Sequence, residues 1–176
     1  MDGGNAPNQT LEQRLRDIED RLEIYNLIAS HPPSADAGVD AFTRAVYAQD
    51  GSLDLGGGKG ASGREAIAAV VTTPEHQAAI AGGLGHFAGL PRIDIDGDSA
   101  VVTSYLQVLT PDNKAEAVAV PGHGTSQGFR IHRLGANRWE LTRTPQGWKI
   151  KRRTMRLLDG SEPARDILRQ ALSGYL

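Results

Sequence analysis

A chain of 176 residues fits one domain with a single sizeable core. Hydrophobic content of 39%, charged content of 23% and a net charge of -2 give no electrostatic case for nucleic acid or an anionic membrane as a partner. The absence of cysteine excludes a disulfide framework, thiol catalysis and thiolate metal sites.

The first nine residues lack the basic and apolar regions of a signal peptide and read as a disordered leader, with residues 10–176 as one domain. No apolar run approaches the roughly 20 residues that span a bilayer, and cytoplasmic residence is the default expectation. Thr10 and Gln13 have capping-box spacing, so a helix begins there. Leu11, Leu15, Ile18, Leu22 and Tyr25 recur as its apolar stripe. Pro32 and Pro33 should end it near His31, because proline lacks the helix donor and restricts its predecessor. A second helix is expected over Gly38–Gln49 with Phe42 and Val46 inward, then a short strand at Leu53–Leu55. Gly56, Gly57, Gly58 and Gly60 surround Lys59, but GxxxxGK[ST] spacing and a preceding long apolar strand are missing. That cluster reads as a hairpin turn or loop rather than a phosphate site.

Short helices follow at Gly63–Val71 and, opened by Pro74, at Glu75–Ile80. From His86 the chain reads as strand, tight turn and strand. Ile93 and Ile95 alternate with charged residues, Gly97 sits in the turn, and Val101, Val102, Tyr105, Leu106 and Val108 carry the return. Pro111–Asn113 is a turn, Ala115–Val120 follows, and Pro121–Gly124 interrupts the pattern. Phe129–Leu134 and Arg138–Arg143 are strand-like, with a bulge or bend expected at Gly135 and Ala136. Trp148–Leu157 is the last long strand, with Trp148 and Ile150 on one face and Lys149, Lys151 and Arg153 on the other. A terminal helix from Ser161 carries Ile167, Leu168 and Leu172. Helices first and a meandering sheet afterwards indicate an α+β fold.

His86 stands at the start of a strand leading into the core. It reads as a hydrogen-bonded structural histidine or, in an apolar pocket, as a general base. Asp36 and Asp40 lie upstream as carboxylates to orient it, although Asp36 also suits a turn or helix cap and Asp40 a helix N-terminus. Asn137, on one strand face with Trp139 and Leu141, reads either as a donor to a substrate oxygen or as a turn residue. Tyr25 and Tyr105 place hydroxyls in the core or in a pocket. His123 belongs to a glycine-flanked loop, while His76 and His132 suit exposed positions. No metal-ligand spacing, serine nucleophile or dinucleotide pattern is present, and Arg152 and Arg153 read as an outward strand face.

Several stretches together resemble the nuclear transport factor 2-like superfamily in its SnoaL-like, polyketide cyclase branch. They are the helix through Tyr25, Ala35-Asp36 ahead of Tyr47–Asp50, Gly63–Ile67, His86 ahead of Ile95–Ala100, and Asn137–Leu141 ahead of Gly147–Ile150. The resemblance spans roughly residues 10–160. It implies a cone-shaped domain in which a strongly curved mixed sheet wraps N-terminal helices around one deep pocket, a cystatin-like α+β barrel. Scytalone dehydratase and hexachlorocyclohexane dehydrochlorinase use an Asp–His pair there, and Asp36 and His86 match those positions. Relatives carry out dehydration, elimination, isomerisation and cyclisation with no cofactor and no metal, and many are dimers or trimers. The family often has an aromatic residue before the Asp; here His31, Pro32 and Pro33 occupy that place, so His31 joins the pocket residues, and His123 lies in the region of a second dehydratase histidine. The resulting expectation is a lyase or isomerase acting on a small apolar, cyclic substrate. Its rivals are a non-catalytic module binding a small hydrophobic ligand or a partner protein, and a ring-hydroxylating oxygenase small subunit.

Overall fold

A computed structural model describes residues 9–175, so the expected leader, apart from Gln9, lies outside the described residues. Helix α1 (Leu11–Ala29) starts with the reciprocal capping box, the Thr10 side chain accepting from the Gln13 backbone and the Gln13 side chain from that of Thr10. Two prolines do end α1, but they also seed a six-residue helix, α2 (His31–Asp36), because proline is tolerated in a first turn. The helix expected over Gly38–Gln49 is shorter: α3 covers Ala41–Val46, and the chain then turns into strand β1 (Tyr47–Gly56). A tight turn through Gly57 and Gly58, both with positive φ, leads to β2 (Lys59–Ser62). Helices α4 (Arg64–Ala69) and α5 (Pro74–Ala81) follow, the latter capped by the Thr73 side chain.

His86 lies on a strand of its own, β3 (Gly85–Ala88), separated by Gly89–Pro91 from β4 (Arg92–Asp96). Both pair antiparallel with the long β5 (Ser99–Pro111). A small hairpin of β6 (Val118–Val120) and β7 (Gly124–Ser126) stands apart from the main sheet. Then come β8 (Phe129–Thr144), β9 (Gly147–Leu157) and α6 (Glu162–Ala171). The seven-stranded sheet runs β2-β1-β9-β8-β5-β3 with β4 also on β5; the β1–β9 pair is parallel and the others antiparallel.

The core forms where Ile24, Leu27 and Ile28 of α1 meet Tyr47, Leu53, Val102, Trp139, Leu141, Trp148 and Ile150 of the sheet. This corrects the sequence stripe: Leu11, Leu15, Ile18, Leu22 and Tyr25 are 41–78% exposed. The buried side of α1 includes a carboxylate instead. Asp20 accepts from both Arg143 terminal nitrogens and from Trp148 Nε1, so its burial is satisfied by a bidentate ion pair.

Two bulges lie away from the expected Gly135-Ala136. Between β5 and β8 the register slips from Val108–Arg133 to Leu109–Ile131, leaving His132 as the extra residue. Between β8 and β9 it slips from Glu140–Arg152 to Leu141–Ile150, leaving Lys151 as the extra residue. Gly135 and Ala136 are in regular pairing, and Gly135 leaves room for Met155, whose sulfur would lie 2.9 Å from an added Cβ. The Lys151 bulge reverses side-chain parity, so Arg153 turns inward and is buried, contrary to the outward face expected for it.

Candidate active site

His86 is the second residue of β3, opposite Val108 on β5. Asp36, the last residue of α2, faces it. Asp36 Oδ1 accepts from His86 Nδ1 at 2.6 Å, and Asp36 Oδ2 accepts from the His86 backbone N–H at 2.9 Å. This two-point clamp fixes the ring and its tautomer: with the proton on Nδ1, the Nε2 lone pair is the basic site. The His86 side chain is 11% exposed and that of Asp36 is 31% exposed. Burial pushes the His86 pKa below its ordinary 6.5. Asp36 opposes that shift, while Arg153 and His76 add to it. The imidazole is therefore neutral, a base rather than an acid, at pH 7.

Two further histidines approach this pair. His76 on α5 stacks against His86 with ring centroids 6.2 Å apart, and its Nε2 donates to the Ala35 carbonyl at 2.8 Å. His31 opens α2, packs edge-on against Trp139, and takes a hydrogen bond from Arg153 Nη1 on Nε2 at 2.6 Å. Burial, helped by Arg153, holds the His31 pKa well below its ordinary value, so this ring is neutral and accepts. The Arg153 guanidinium lies over the Trp139 ring, 4.4 Å from its centroid, and its Nε donates to Asn137 Oδ1 at 3.1 Å.

His86 forms part of the wall of two cavities. The inner one, about 140 Å³, is bordered by His31, His76, Tyr47, Arg133 and Arg153 together with apolar side chains such as Leu53, Ile67 and Met155. The outer one, about 290 Å³, is mostly apolar and lies against Tyr25, Pro32, Pro33, Phe87 and Leu90. A larger crevice of about 830 Å³ runs beside α1 around Asp20, Asp98 and Arg143, and includes none of these histidines. Its ionic side chains hold α1 to the sheet. Among the described residues no group of three His, Cys, Asp or Glu side chains is placed to hold a metal ion.

The sequence pattern of the SnoaL-like domain matches residues 16–154 of this chain. The chain belongs to the SnoaL-like domain family. A nuclear transport factor 2-like protein with a cystatin-like fold from Novosphingobium aromaticivorans is 37% identical, with 93% of this chain and 99% of that one covered at a TM-score of 0.78. A provisionally assigned scytalone dehydratase from Novosphingobium aromaticivorans is 18% identical over 84% of this chain and 88% of that one, TM-score 0.58. Hexachlorocyclohexane dehydrochlorinase from Novosphingobium barchaimii is 14% identical over 82% of this chain and 90% of that one, TM-score 0.63. These last two show a common fold. No curated protein matches the chain. The fold is thus the expected one, a mixed α+β domain with a curved sheet and N-terminal helices. No helix among the described residues is long and apolar enough to cross a membrane.

Within this SnoaL-like domain the residues singled out from sequence separate into groups. His86 and His31 both border the inner cavity, Asp36 reaches it only through its hold on His86, and Tyr25 borders the outer one. Asn137 and Trp139 are fully buried but border neither cavity; they support Arg153 from below. Asn137 is a strand residue rather than a turn residue, and its Nδ2 has no hydrogen-bond partner. Tyr105 points away from the cavities, 45% exposed, because the even-numbered residues of β5 take the inner face. His123 occupies the exposed turn between β6 and β7 and borders neither cavity. Asp40 pairs with Arg44 instead of His86. Sequence reasoning missed His76 and Arg153. The first is brought to His86 only by the packing of α5, and the second is turned inward only by the Lys151 bulge.

Proposed function

We propose that this SnoaL-like domain is a cofactor-free lyase or isomerase that moves a proton on a small, ring-sized substrate. His86 Nε2 removes a proton from a carbon next to a carbonyl or leaving group, and Asp36 keeps Nδ1 protonated and stabilises the imidazolium that forms. The observation that carries this reading is the clamp of one carboxylate on both the ring and the backbone of a neutral histidine beside a cavity. A purely structural histidine needs no such control of its tautomer. Burial keeps His86 unprotonated at neutral pH, and an Asp partner then offsets the charge acquired on proton transfer. The dehydratase and dehydrochlorinase names attached to proteins of the same fold are consistent with elimination chemistry.

The experiment is solvent deuterium exchange into a panel of small cyclic ketones and hydroxy-ketones, followed by proton NMR, for the wild type and His86→Asn. General-base catalysis contributes about 10²–10⁴ in rate, so the variant should lose exchange by that order. Exchange within a few-fold of wild type would refute the base assignment and leave the domain as a ligand-binding module.

A further inference from the structure

The inner cavity has an unbalanced charge. Two arginines, Arg133 and Arg153, border it and no Asp or Glu does. Arg153 is 5% exposed, and everything that touches its guanidinium is neutral: Asn137 Oδ1, His31 Nε2, the face of Trp139 and the Tyr47 hydroxyl. Arg133 takes part in no ion pair among the described residues. A buried cation with no counter-charge is costly, and proteins ordinarily pair it. Burial indeed pushes the Arg153 pKa down, and Arg133 adds to that shift. A guanidinium has five N–H donors; Asn137 and His31 take two and the Tyr47 hydroxyl engages a third, which leaves donors to spare. Beside it, Asn137 Nδ2 is a buried donor with no acceptor. His31 cannot supply the missing negative charge, and Asp36 is committed to His86.

A buried arginine with donors to spare, joined by the exposed Arg133 on the wall of a cavity that no carboxylate borders, favours an anion, and the planar fork of Arg153 suits a carboxylate. The available space sets the size of its body: an apolar cavity of about 150 Å³ accommodates benzene, and this one is about 140 Å³. We propose that the inner cavity binds a small organic carboxylate no larger than a single six-membered ring. Its carboxylate sits on Arg153, and its body packs against Leu53, Ile67, Val71 and Met155. The identity of the group that reacts rests on the general-base reading of His86; the anion site does not.

Benzoate and its neutral isostere benzamide are the probes, titrated by calorimetry at pH 8, where His86 adds no charge, into wild type, Arg153→Met and His86→Asn. Charge-assisted pairing should favour benzoate by at least about tenfold in wild type. That preference should persist in His86→Asn and disappear in Arg153→Met, with benzamide affinity unchanged within about threefold. Thermal melts establish that Arg153→Met is folded. If it is not, Arg153→Lys takes its place; it keeps the charge, loses the fork and should retain only part of the preference. Equal affinity for the two probes in wild type, a benzoate preference that survives Arg153→Met, or no benzoate binding by tens of millimolar overturns the proposal. Deuterium exchange unchanged in His86→Asn, with the benzoate preference intact, removes the catalytic reading and leaves the anion site standing.

Discussion

Replacing Asp36 with Asn keeps the shape of the side chain and removes what its geometry requires. The carboxylate uses both oxygens as acceptors, one for His86 Nδ1–H and one for the His86 backbone N–H. An amide has one acceptor and one donor, so one of the two contacts must become donor against donor. If the amide nitrogen faces the ring, Nδ1 loses its proton to become an acceptor, Nε2 carries the hydrogen, and the basic lone pair is gone. A tautomer exchange of this kind costs about 10⁴-fold in a serine hydrolase triad. If the amide nitrogen faces the backbone instead, the tautomer survives but a part-buried N–H loses its partner, at about 1–3 kcal/mol of stability. In either orientation the negative charge is lost. Asp36 raises the His86 pKa against burial, so Asp36→Asn should lower it further. A turnover loss of about 10²–10⁴ is expected. Nitrogen-15 NMR of labelled histidine through a pH titration reads tautomer and pKa together, with no substrate needed. A His86 signal that keeps both its Nδ1–H form and its titration midpoint in Asp36→Asn would refute the coupling.

Acidification should destabilise the fold from near pH 6.5 downwards. The folded-state pKa values of His31 and His86 lie below the ordinary 6.5, so between those values the unfolded chain binds more protons than the folded one. Each group that titrates fully in this way removes about 1.4 kcal/mol per pH unit. Urea midpoints at pH 7.5 and 5.5 should differ in that direction, and His31→Gln should shrink the difference; an unchanged midpoint would count against it. Asp20→Asn should cost about 2–3 kcal/mol in urea unfolding, below the range of a fully buried pair because Arg143 keeps Asp98 and some solvent. A loss under 0.5 kcal/mol, the scale of an ordinary surface substitution, would remove the clamp from the account of how α1 is held. Tyr105→Ala and His123→Ala, both outside the cavities, should leave turnover within about twofold, and a tenfold loss in either would place the site elsewhere.

Local chemistry was the legible part of this sequence. The capping box at Thr10, the glycine turn after β1, the Asp96–Asp98 hairpin and the helix opened by Pro74 depend only on near neighbours, and each forms as read. Parity across long strands was not legible. Alternation assigns faces only while the register holds, and a single extra residue at Lys151 sends Arg153 to the opposite side. Nothing in the run from Trp148 to Leu157 marks that bulge, since its Gly and Pro signals lie at the hairpin turn instead. The α1 stripe failed for a different reason. Period-3.6 spacing identifies an amphipathic helix without saying which face meets the sheet. The face that does so carries Asp20, whose polarity is matched by Arg143 from a strand 123 residues away.

The proline pair shows how one feature can serve both readings. On sequence grounds Pro32 and Pro33 stand between the first helix and Asp36 and disturb the route by which a carboxylate would reach a pocket. Their restriction on backbone donors ends α1 at Ala29, yet the same restriction is compatible with a first helical turn, and α2 begins at once. Its six residues put His31 at one end and Asp36 at the other. His31 meets Arg153 on the central strand β9, while Asp36 meets His86 on the edge strand β3. A continuous α1 would carry both residues along one axis. The break lets a short helix run from the arginine to the base, so that its two ends hold the proposed anion site and the proposed proton acceptor through His31 and Asp36.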